Sequence, residues 1–282
     1  MAEVDLHLHT TASDGRLTPR QLVALLAQRG LKVVAVTDHD STQGLAEAQE
    51  AARALGGPEI IPGIELSTDV PGNEIHILGY LMDYHAPSFQ AELTRFREGR
   101  EGRARRMVEK LRSLGVEIDF ERVKAFAGDG AIGRPHIALA MKEKGYITEI
   151  PEAFDRYIGR NGPAYVERLK LTPADAIRFL AEYGGVAVLA HPGDLPELDQ
   201  VVEELKAAGL VGMEVHYAQY TPERIAALAR VAERHGLLPC GGSDYHALGS
   251  PNERLPGEMG PPLWVPQELR RLARERAAAR QG

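Results

Sequence analysis

Residues 1–14 read MAEVDLHLHTTASD, and the fold is predicted to be organised around this stretch. Side chains alternate along an extended strand, so His7 and His9 face one side while the apolar residues around them face the other. The apolar side anchors the strand in a core, which holds the two imidazoles rigidly and near enough to share a metal ion. Asp14 follows in a polar loop from which its carboxylate can turn back toward them. The His-x-His pattern alone is equally typical of a half-exposed strand, and the residues downstream favour the metal site.

The composition limits the class of protein. A chain of 282 residues, 44% of them hydrophobic, can form one large domain of barrel size or a main domain with a smaller insert. It has no apolar run long enough to cross a bilayer and no export signal, so we expect a protein that does not bind membranes. Its single cysteine, Cys240, excludes an internal disulfide and fits the cytoplasm, where we expect the protein to be. The net charge of -7 argues against stable binding of duplex nucleic acid, but a nucleotide can still enter a local basic pocket.

The first 89 residues alternate between predicted strands and helices. A helix is predicted in LTPRQLVALLAQRG, with Thr18 as the N-cap, Pro19 at the first helical position and Gly30 after the end. The strands are LKVVAVTDHD, EIIPGIELST and NEIHILGYL, and polar residues stand at or near their ends. The alternation resumes after residue 171 with GVAVLAHP, GLVGMEVHY and LPCGGSDYH. This order predicts an α/β fold of parallel β/α units with seven strands.

Residues 90–170 interrupt this order. They are predicted to form a helical domain that caps the substrate, inserted into a barrel made of residues 1–89 and 171–282. A long helix is predicted from Arg95 to Arg112, where eight arginines and lysines outnumber three glutamates. The usual interpretation of such a run is a solvated helical face with ion pairs between successive turns. The alternative is a local attraction for an anionic substrate.

Nine polar residues at or near the predicted strand ends form the candidate site. The carboxyl ends of strands in a β/α barrel open on one face, so side chains far apart in the chain are expected to converge there. Six imidazoles and three carboxylates without a thiolate suit Mn, Fe or Zn and exceed what one ion can use, which predicts two or three divalent metal ions. Taken singly, each residue is also explained as a helix cap, a turn residue or a hydrogen-bonded buried histidine. The nine are His7, His9, Asp14, His39, Glu65, His76, His191, Asp244 and His246.

Six motifs resemble, in order, those of the PHP superfamily, which is named for polymerase and histidinol phosphatase. They are DLHLHTTASDG, VTDHD, GIELS, IHILGY, LAHP and GGSDYH, and they span nearly the whole chain. The helical insert carries GRPHIA and then AYV ahead of the LAHP strand. In this it resembles the branch that includes the nucleoside 3',5'-bisphosphate phosphatases, also described as RNase AM.

The resemblance implies a distorted seven-stranded, TIM-like (β/α)7 barrel, a trinuclear centre often loaded with Mn, and hydrolysis of phosphate esters. It also implies a sorting of ligands among three ions. In order these are His7, His9, Glu65 and Asp244 on the first; Glu65, His76 and His191 on the second; Asp14, His39 and His246 on the third. All nine positions carry the expected residue types, so loss of catalysis by decay is not expected.

The expected mechanism of ester hydrolysis follows from such a metal centre. Close pairs of metal ions lower the pKa of a bridging water enough to supply hydroxide near neutral pH, and they screen the charge of the phosphoryl group. The hydroxide is the predicted nucleophile, and His39, His191 and His246 are the candidate catalytic residues. Either a metal-bound water or one of these histidines protonates the leaving alkoxide. No G-x-S-x-G elbow occurs, so a Ser-His-Asp esterase is not predicted.

Arg134 and His136 are the candidate substrate-binding residues. They flank Pro135, which can begin a helix, and a helix N-terminus beside an arginine attracts phosphate. We expect them to hold a phosphate other than the one that is cleaved. The alternative is that Arg134 pairs with a carboxylate while His136 packs against its neighbours.

Three functions remain open at this point. The first is a metal-dependent phosphoesterase that acts on a phosphorylated small molecule, a nucleoside 3',5'-bisphosphate, with trimming of short RNA from its 5' end as a further activity. The second is another phosphomonoesterase of the same superfamily, such as one for histidinol phosphate. The third is a non-catalytic PHP module that supports a DNA polymerase or another partner. The complete ligand set and the lack of a polymerase-sized region weigh against the third.

Overall fold

The computed structural model describes residues 2–70, 73–128, 130–167, 171–249 and 253–280. Its strands form one seven-stranded sheet in chain order. The Leu6 N–H donates to the Gly241 carbonyl at 3.1 Å, so the last strand lies beside the first and nearly closes the sheet into a barrel. The predicted α/β barrel is therefore confirmed. The strands are β1 (Val4–Asp5), β2 (Val33–Val36), β3 (Glu59–Val70), β4 (Asn73–Tyr80), β5 (Val186–Leu189), β6 (Leu210–Tyr217) and β7 (Leu238–Gly242).

Helices surround the sheet and fill the insert. The first begins as predicted: the Thr18 hydroxyl accepts from the Gln21 N–H, the Gln21 side chain accepts from the Thr18 N–H, and Pro19 is the first helical residue. Among the described residues the helices are α1 (Pro19–Gln28), α2 (Leu45–Leu55), α3 (Pro87–Ser113), α4 (Phe120–Ala127), α5 (Arg134–Glu143), α6 (Ile150–Ala153), α7 (Pro173–Glu182), α8 (Leu198–Ala207), α9 (Pro222–His235) and α10 (Trp264–Ala279).

Strand β4 departs from the predicted parallel order. It pairs antiparallel with both β3 and β5, whereas the other neighbouring strands are parallel. The cause is the short connection, since β3 ends at Val70 and β4 begins at Asn73, while a parallel crossover needs roughly a dozen residues or more. The prediction of parallel β/α units is wrong at β4. Glu65 and His76 consequently lie inside long strands and not at strand ends.

The buried layers hold the strands in place below the site. Leu6, Leu78 and Cys240 pack inside the barrel with Val265 and Leu269 of α10, which covers this core. Helices α7, α8 and α9 cover β3–β6, and α1 and α2 cover β2. Because each fully buried leucine stabilises the fold by about 1.5–3 kcal/mol, this packing fixes the backbone that carries the polar side chains.

The inserted region has a hydrophobic cluster of its own, formed by residues between Ala104 and Ala164. Helix α3 is longer than predicted and joins this cluster to the barrel. Near its start, Phe89 and Leu93 pack in the layer that covers β3–β6, whereas Met107 packs in the second cluster. The boundaries of the insert at residues 90 and 170 stay a prediction. Within the described ranges, no helix combines the length and the apolar surface needed to cross a membrane.

Candidate metal centre

The nine predicted residues converge on one cluster. Each has a nitrogen or oxygen within 3.3 Å of a donor atom of another member. Glu65 lies at the middle of it: one of its oxygens is 3.2 Å from His7 and from His9, and the other is 2.8 Å from His76. Side chains from positions 7 to 246 therefore meet in one place.

Three overlapping groups within this cluster have donor atoms that all lie within 4.8 Å of one another. Glu65 belongs to two of them, and His191 adjoins them with its Nε2 at 3.2 Å from Glu65 Oε1. The first group has the same members as the first set implied by the family resemblance. The other two differ from the implied sets, because His9 joins the group around Asp14 and His39 stands in place of His191 beside Glu65. The groups are His7, His9, Glu65 and Asp244; His9, Asp14, His39 and His246; and His39, Glu65 and His76.

Orphaned polar atoms show that these residues fit a cation. The Nε2 atoms of His7 and His9, Asp14 Oδ1 and Glu65 Oε2 are buried and lie 3.2–3.3 Å from other members of the cluster without making a hydrogen bond. A buried polar atom without a partner costs about 1–3 kcal/mol, and more when charged. Bound divalent ions would supply the missing partners, and a set of nitrogen and oxygen donors without sulfur suits such ions.

The electrostatics of the carboxyl groups favour positive charge in the cluster. Burial alone would raise their pKa values, but the surrounding imidazoles outweigh burial and hold the pKa of each below its usual range. The largest opposing contribution comes from His39 for Asp14 and Glu65, and from His7 for Asp244. All three carboxylates are therefore anionic at neutral pH and ready to bind a metal ion.

The imidazoles differ in their readiness to bind a metal. Burial lowers the pKa of His39 to about 3 despite the nearby Glu65 and Asp14, so this ring is neutral. Burial also lowers the pKa of His246, but Asp14 and Asp244 outweigh it and raise the value to about 10. A metal ion that binds His246 must therefore displace a proton from it.

A buried carboxylate positions the loop that carries Asp14. Asp38 accepts from the Thr10 N–H at 2.7 Å and from the Ser13 hydroxyl at 2.6 Å. At Gly15 the chain doubles back so closely that a Cβ would lie 2.6 Å from the His9 carbonyl carbon. This loop therefore requires both the buried aspartate and the glycine.

Two of the candidate ligands have left-handed backbone conformations without being glycine. His191 has φ +28° and Asp244 has φ +55°, and such residues cost of order 1–3 kcal/mol each. Hydrogen bonds hold both: the His191 N–H donates to Glu214 at 2.7 Å, and the Asp244 N–H donates to the His7 carbonyl at 3.0 Å. Strain of this kind persists where the surroundings fix a functional geometry.

Strand β6 supplies none of the nine residues but supports three of them. The fully buried Glu214 lies 3.1 Å from Nδ1 of His7 and also accepts from the His191 N–H. The Tyr217 hydroxyl donates to Asp244 at 2.8 Å. A proton on His7 Nδ1 leaves Nε2 free for a metal ion. Neither residue was predicted from the sequence, although a glutamate in the apolar stretch LVGMEVHY was a usable signal.

A cavity of about 50 Å³ adjoins the cluster and is lined by three guanidinium groups, those of Arg100, Arg103 and Arg134. Asp14 and His39 also line it. Two of the arginines belong to the charged helix α3 and are only 5% and 4% exposed. The interpretation as a solvated face holds for part of this helix, because Arg95 and Arg105 form exposed ion pairs with neighbouring glutamates. Attraction of an anionic substrate by Arg100 and Arg103 stays a prediction, since these two pair with Asp40 and Glu74.

The two predicted substrate-binding residues lie in different surroundings. Arg134 lines the cavity and pairs with Glu74 at 2.5 Å. His136 is buried, and its Nδ1 accepts from the Gly133 N–H at 3.0 Å, which caps α5. Burial and the nearby Arg100 lower the pKa of His136 and keep its ring neutral. Contact between His136 and a phosphate stays a prediction.

Comparisons with known proteins show which proteins this chain resembles over its length. The family model described as "PHP domain" matches residues 5–238. A 3',5'-nucleoside bisphosphate phosphatase from Chromobacterium violaceum is 34% identical over 96% of this chain and 99% of its own length. The 5'-3' exoribonuclease Rnm from Salmonella typhimurium is 35% identical over 93% of this chain and 89% of its own. The structure of a Bifidobacterium adolescentis protein classed as a metal-dependent phosphoesterase superposes on this one with a TM-score of 0.87. The two chains are 32% identical, and the match covers 95% of this chain and 96% of the other.

Proposed function

Since this chain belongs to the PHP domain family and is a metal-dependent phosphoesterase, we propose that its substrate is a nucleoside 3',5'-bisphosphate or the 5'-phosphorylated end of a short RNA. The similarity to a bisphosphate phosphatase and to a 5'-3' exoribonuclease, each over most of both chains, supports this substrate class. Both substrates carry two phosphates separated by one nucleoside. The enzyme therefore needs a site for the phosphate it attacks and a second site for the phosphate it keeps.

The attacked phosphate belongs at the candidate metal centre. We propose that three divalent ions, with Mn as the first choice, are held by the nine converging residues in the three sets that the family resemblance implies. Ions held there would polarise the phosphoryl oxygens and supply a hydroxide nucleophile near neutral pH. The orphaned buried atoms of His7, His9, Asp14 and Glu65 support this assignment.

The retained phosphate belongs in the arginine-lined cavity, and this cavity is the observation that carries the proposal. Arg100, Arg103 and Arg134 line it, and two members of the metal cluster line it as well. Guanidinium groups bind phosphate through two parallel charge-assisted hydrogen bonds. A volume of about 50 Å³ suits a small anion, and the wall that the cavity shares with Asp14 and His39 supports a position next to the reacting centre.

Different side chains then orient the substrate, contact the reacting phosphate and position the metal ligands. The arginines orient the substrate by its retained phosphate, which holds the second phosphate at the cluster. Among the candidate catalytic histidines, the side chain of His191 is the most accessible, at 29% against 13% for His39 and 16% for His246. We therefore assign His191 to contact with the reacting phosphate. Glu214 keeps His7 and the His191 backbone in place.

The test is a panel of phosphate esters assayed with Mn-reconstituted protein. It contains a nucleoside 3',5'-bisphosphate, a 5'-phosphorylated short RNA and histidinol phosphate. We expect turnover of the first two and little of the third, because histidinol phosphate has no second phosphate for the arginine cavity. Faster hydrolysis of histidinol phosphate would favour the other phosphomonoesterase function, and no hydrolysis of any ester would favour a non-catalytic module.

Arg134→Ala tests the cavity. This variant should raise KM for the bisphosphate by about tenfold or more, since a charge-assisted hydrogen bond contributes about 1.5–3 kcal/mol. Arg122→Ala is the matched control, because Arg122 is an exposed arginine of the same insert that pairs with Glu143. An unchanged KM in Arg134→Ala would remove this residue from phosphate binding.

A further inference from the structure

A second cavity opens on another side of the cluster. Its volume is about 430 Å³, within the roughly 300–1,000 Å³ typical of small-molecule sites. His191 is the one member of the nine that lines it. The other lining residues come from the turn after β5 and from the end of β6 and the start of α9: Asp194, Tyr217, Gln219, Tyr220, Thr221 and Arg224. We call this cavity the His191 cleft.

The His191 cleft and the arginine cavity border different members of the cluster. Asp14, His39 and His76 line the arginine cavity, whereas His191 lines the cleft. Tyr217 extends the cleft to a further member of the cluster, because its hydroxyl donates to Asp244. A phosphate bound at the cluster therefore lies between the two spaces.

The chemistry of the cleft differs from that of the arginine cavity. Among the described residues that line it, Arg224 is the one guanidinium, and it lies 3.6 Å from Asp194. The arginine cavity has three guanidinium groups, which Asp40 and Glu74 neutralise in part. Tyr220 supplies aromatic surface, backed by the buried Tyr217 with ring centroids 4.8 Å apart, and Gln219 supplies an amide. Aromatic rings and amides bind uncharged nucleosides by stacking and hydrogen bonding. The cleft thus offers fewer guanidinium groups to a phosphate than the arginine cavity does, and more aromatic and amide surface to a nucleoside.

We infer that the His191 cleft binds the second nucleoside of a 5'-phosphorylated oligonucleotide. This inference rests on the proposed function. The first nucleoside joins the retained phosphate to the attacked one, so it must lie on the arginine side of the cluster. Whatever is esterified beyond the attacked phosphate continues on another side, and the cleft is the space available there.

The reaction is the same for both substrate types. The oxygen of water forms a bond to phosphorus, the bond from phosphorus to O3' of the first nucleoside breaks, and O3' receives a proton. A bisphosphate then yields a nucleoside 5'-phosphate and inorganic phosphate. An oligonucleotide yields a nucleoside 5'-phosphate and a shortened chain that keeps the attacked phosphate at its new 5' end. The cleft distinguishes these cases because the bisphosphate has nothing to place in it.

The test compares two exposed cleft variants, Arg224→Ala and Gln219→Ala, on two substrates. One is a nucleoside 3',5'-bisphosphate, and the other is a 5'-phosphorylated dinucleotide. The ratio of kcat/KM for the dinucleotide to kcat/KM for the bisphosphate should fall about tenfold in Arg224→Ala, as expected for loss of a charged hydrogen-bond donor. Arg230→Ala, which removes an exposed arginine from the same helix α9 outside the cleft, should leave this ratio unchanged.

Equilibrium binding gives a readout independent of turnover. A 5'-phosphorylated dinucleotide with a methylphosphonate linkage should bind Arg224→Ala more weakly than the parent protein, measured by calorimetry. An unchanged ratio in both cleft variants overturns the inference. So does an equal loss for both substrates, which would place the first nucleoside in the cleft. If the parent protein cleaves the bisphosphate but not the dinucleotide, the inference fails and the proposed function stands. If it cleaves neither substrate, the proposed function itself is contradicted.

Discussion

His7 is held from both ends of its ring. Its Nε2 lies 3.2 Å from Glu65 at the centre of the cluster, and its Nδ1 lies 3.1 Å from Glu214. The same Glu214 accepts from the N–H of His191, whose backbone is in the left-handed region. One buried carboxylate thus fixes two candidate ligands that come from different strands.

Glu214→Gln tests this support. The substitution keeps the shape of the side chain but replaces one acceptor oxygen with an NH₂ group, which would face the N–H of His7 or of His191. We expect the affinity for Mn to fall about 10–100-fold, measured by competition with a chromophoric chelator. Glu233→Gln, an exposed change on α9, should have no effect. Unaltered metal affinity in Glu214→Gln would show that this carboxylate does not position the ligands.

The sequence predicted the members of the cluster better than their supports. The spacing of His7 and His9 alone fits a half-exposed strand equally well, but all nine residues stand in motifs that together resemble one family. Glu214 and Tyr217 act through residues that lie far away in the chain, so no local pattern indicates their role. Arg100 and Arg103 could not be separated from the rest of the charge run, because which face of α3 is buried depends on the packing of the insert.

At the scale of the element, the β3–β4 hairpin explains how Glu65 and His76 meet. The strands pair with Ser67 opposite His76, two residues from Glu65, so both side chains reach the cluster from within the sheet. The apolar pattern of each strand was readable from the sequence. The direction of β4 was not predicted, because the alternation of strands and helices elsewhere favoured a crossover, and the two-residue connection was not weighed against it.

Gly79 on β4 has a packing role that a substitution can test. A Cβ at this position would lie 2.3 Å from Leu180 Cδ2 of α7, so Gly79→Ala should lower the free energy of unfolding by about 1–3 kcal/mol. Gly102→Ala is the matched control: Gly102 is inside α3, and its added Cβ would meet only the Arg106 side chain at 3.5 Å. There alanine should stabilise by up to about 1 kcal/mol. Urea denaturation measures both, and equal effects would refute the packing argument.

At the scale of the whole molecule, the metal centre connects segments from most strands of the barrel. Its candidate ligands come from the segment after β1, from β3, β4 and the ends of β2, β5 and β7. Ions bound to all of them would therefore stabilise the folded state as a unit. Each site contributes about 2.7 kcal/mol when free metal is a hundredfold above its Kd.

Removal of metal should thus affect stability as well as activity. Dialysis against a chelator should abolish hydrolysis and lower Tm, and added Mn should restore both. Differential scanning calorimetry in the two states measures the shift. A protein whose Tm and activity both survive exhaustive chelation would not depend on metal.

The convergence of the nine side chains on bound cations is most directly tested by anomalous diffraction from Mn-reconstituted crystals. We expect anomalous peaks inside the cluster around Glu65, each contacted by imidazole and carboxylate groups of the nine residues. Maps without a peak at this cluster, from protein that was incubated with excess Mn, would contradict it.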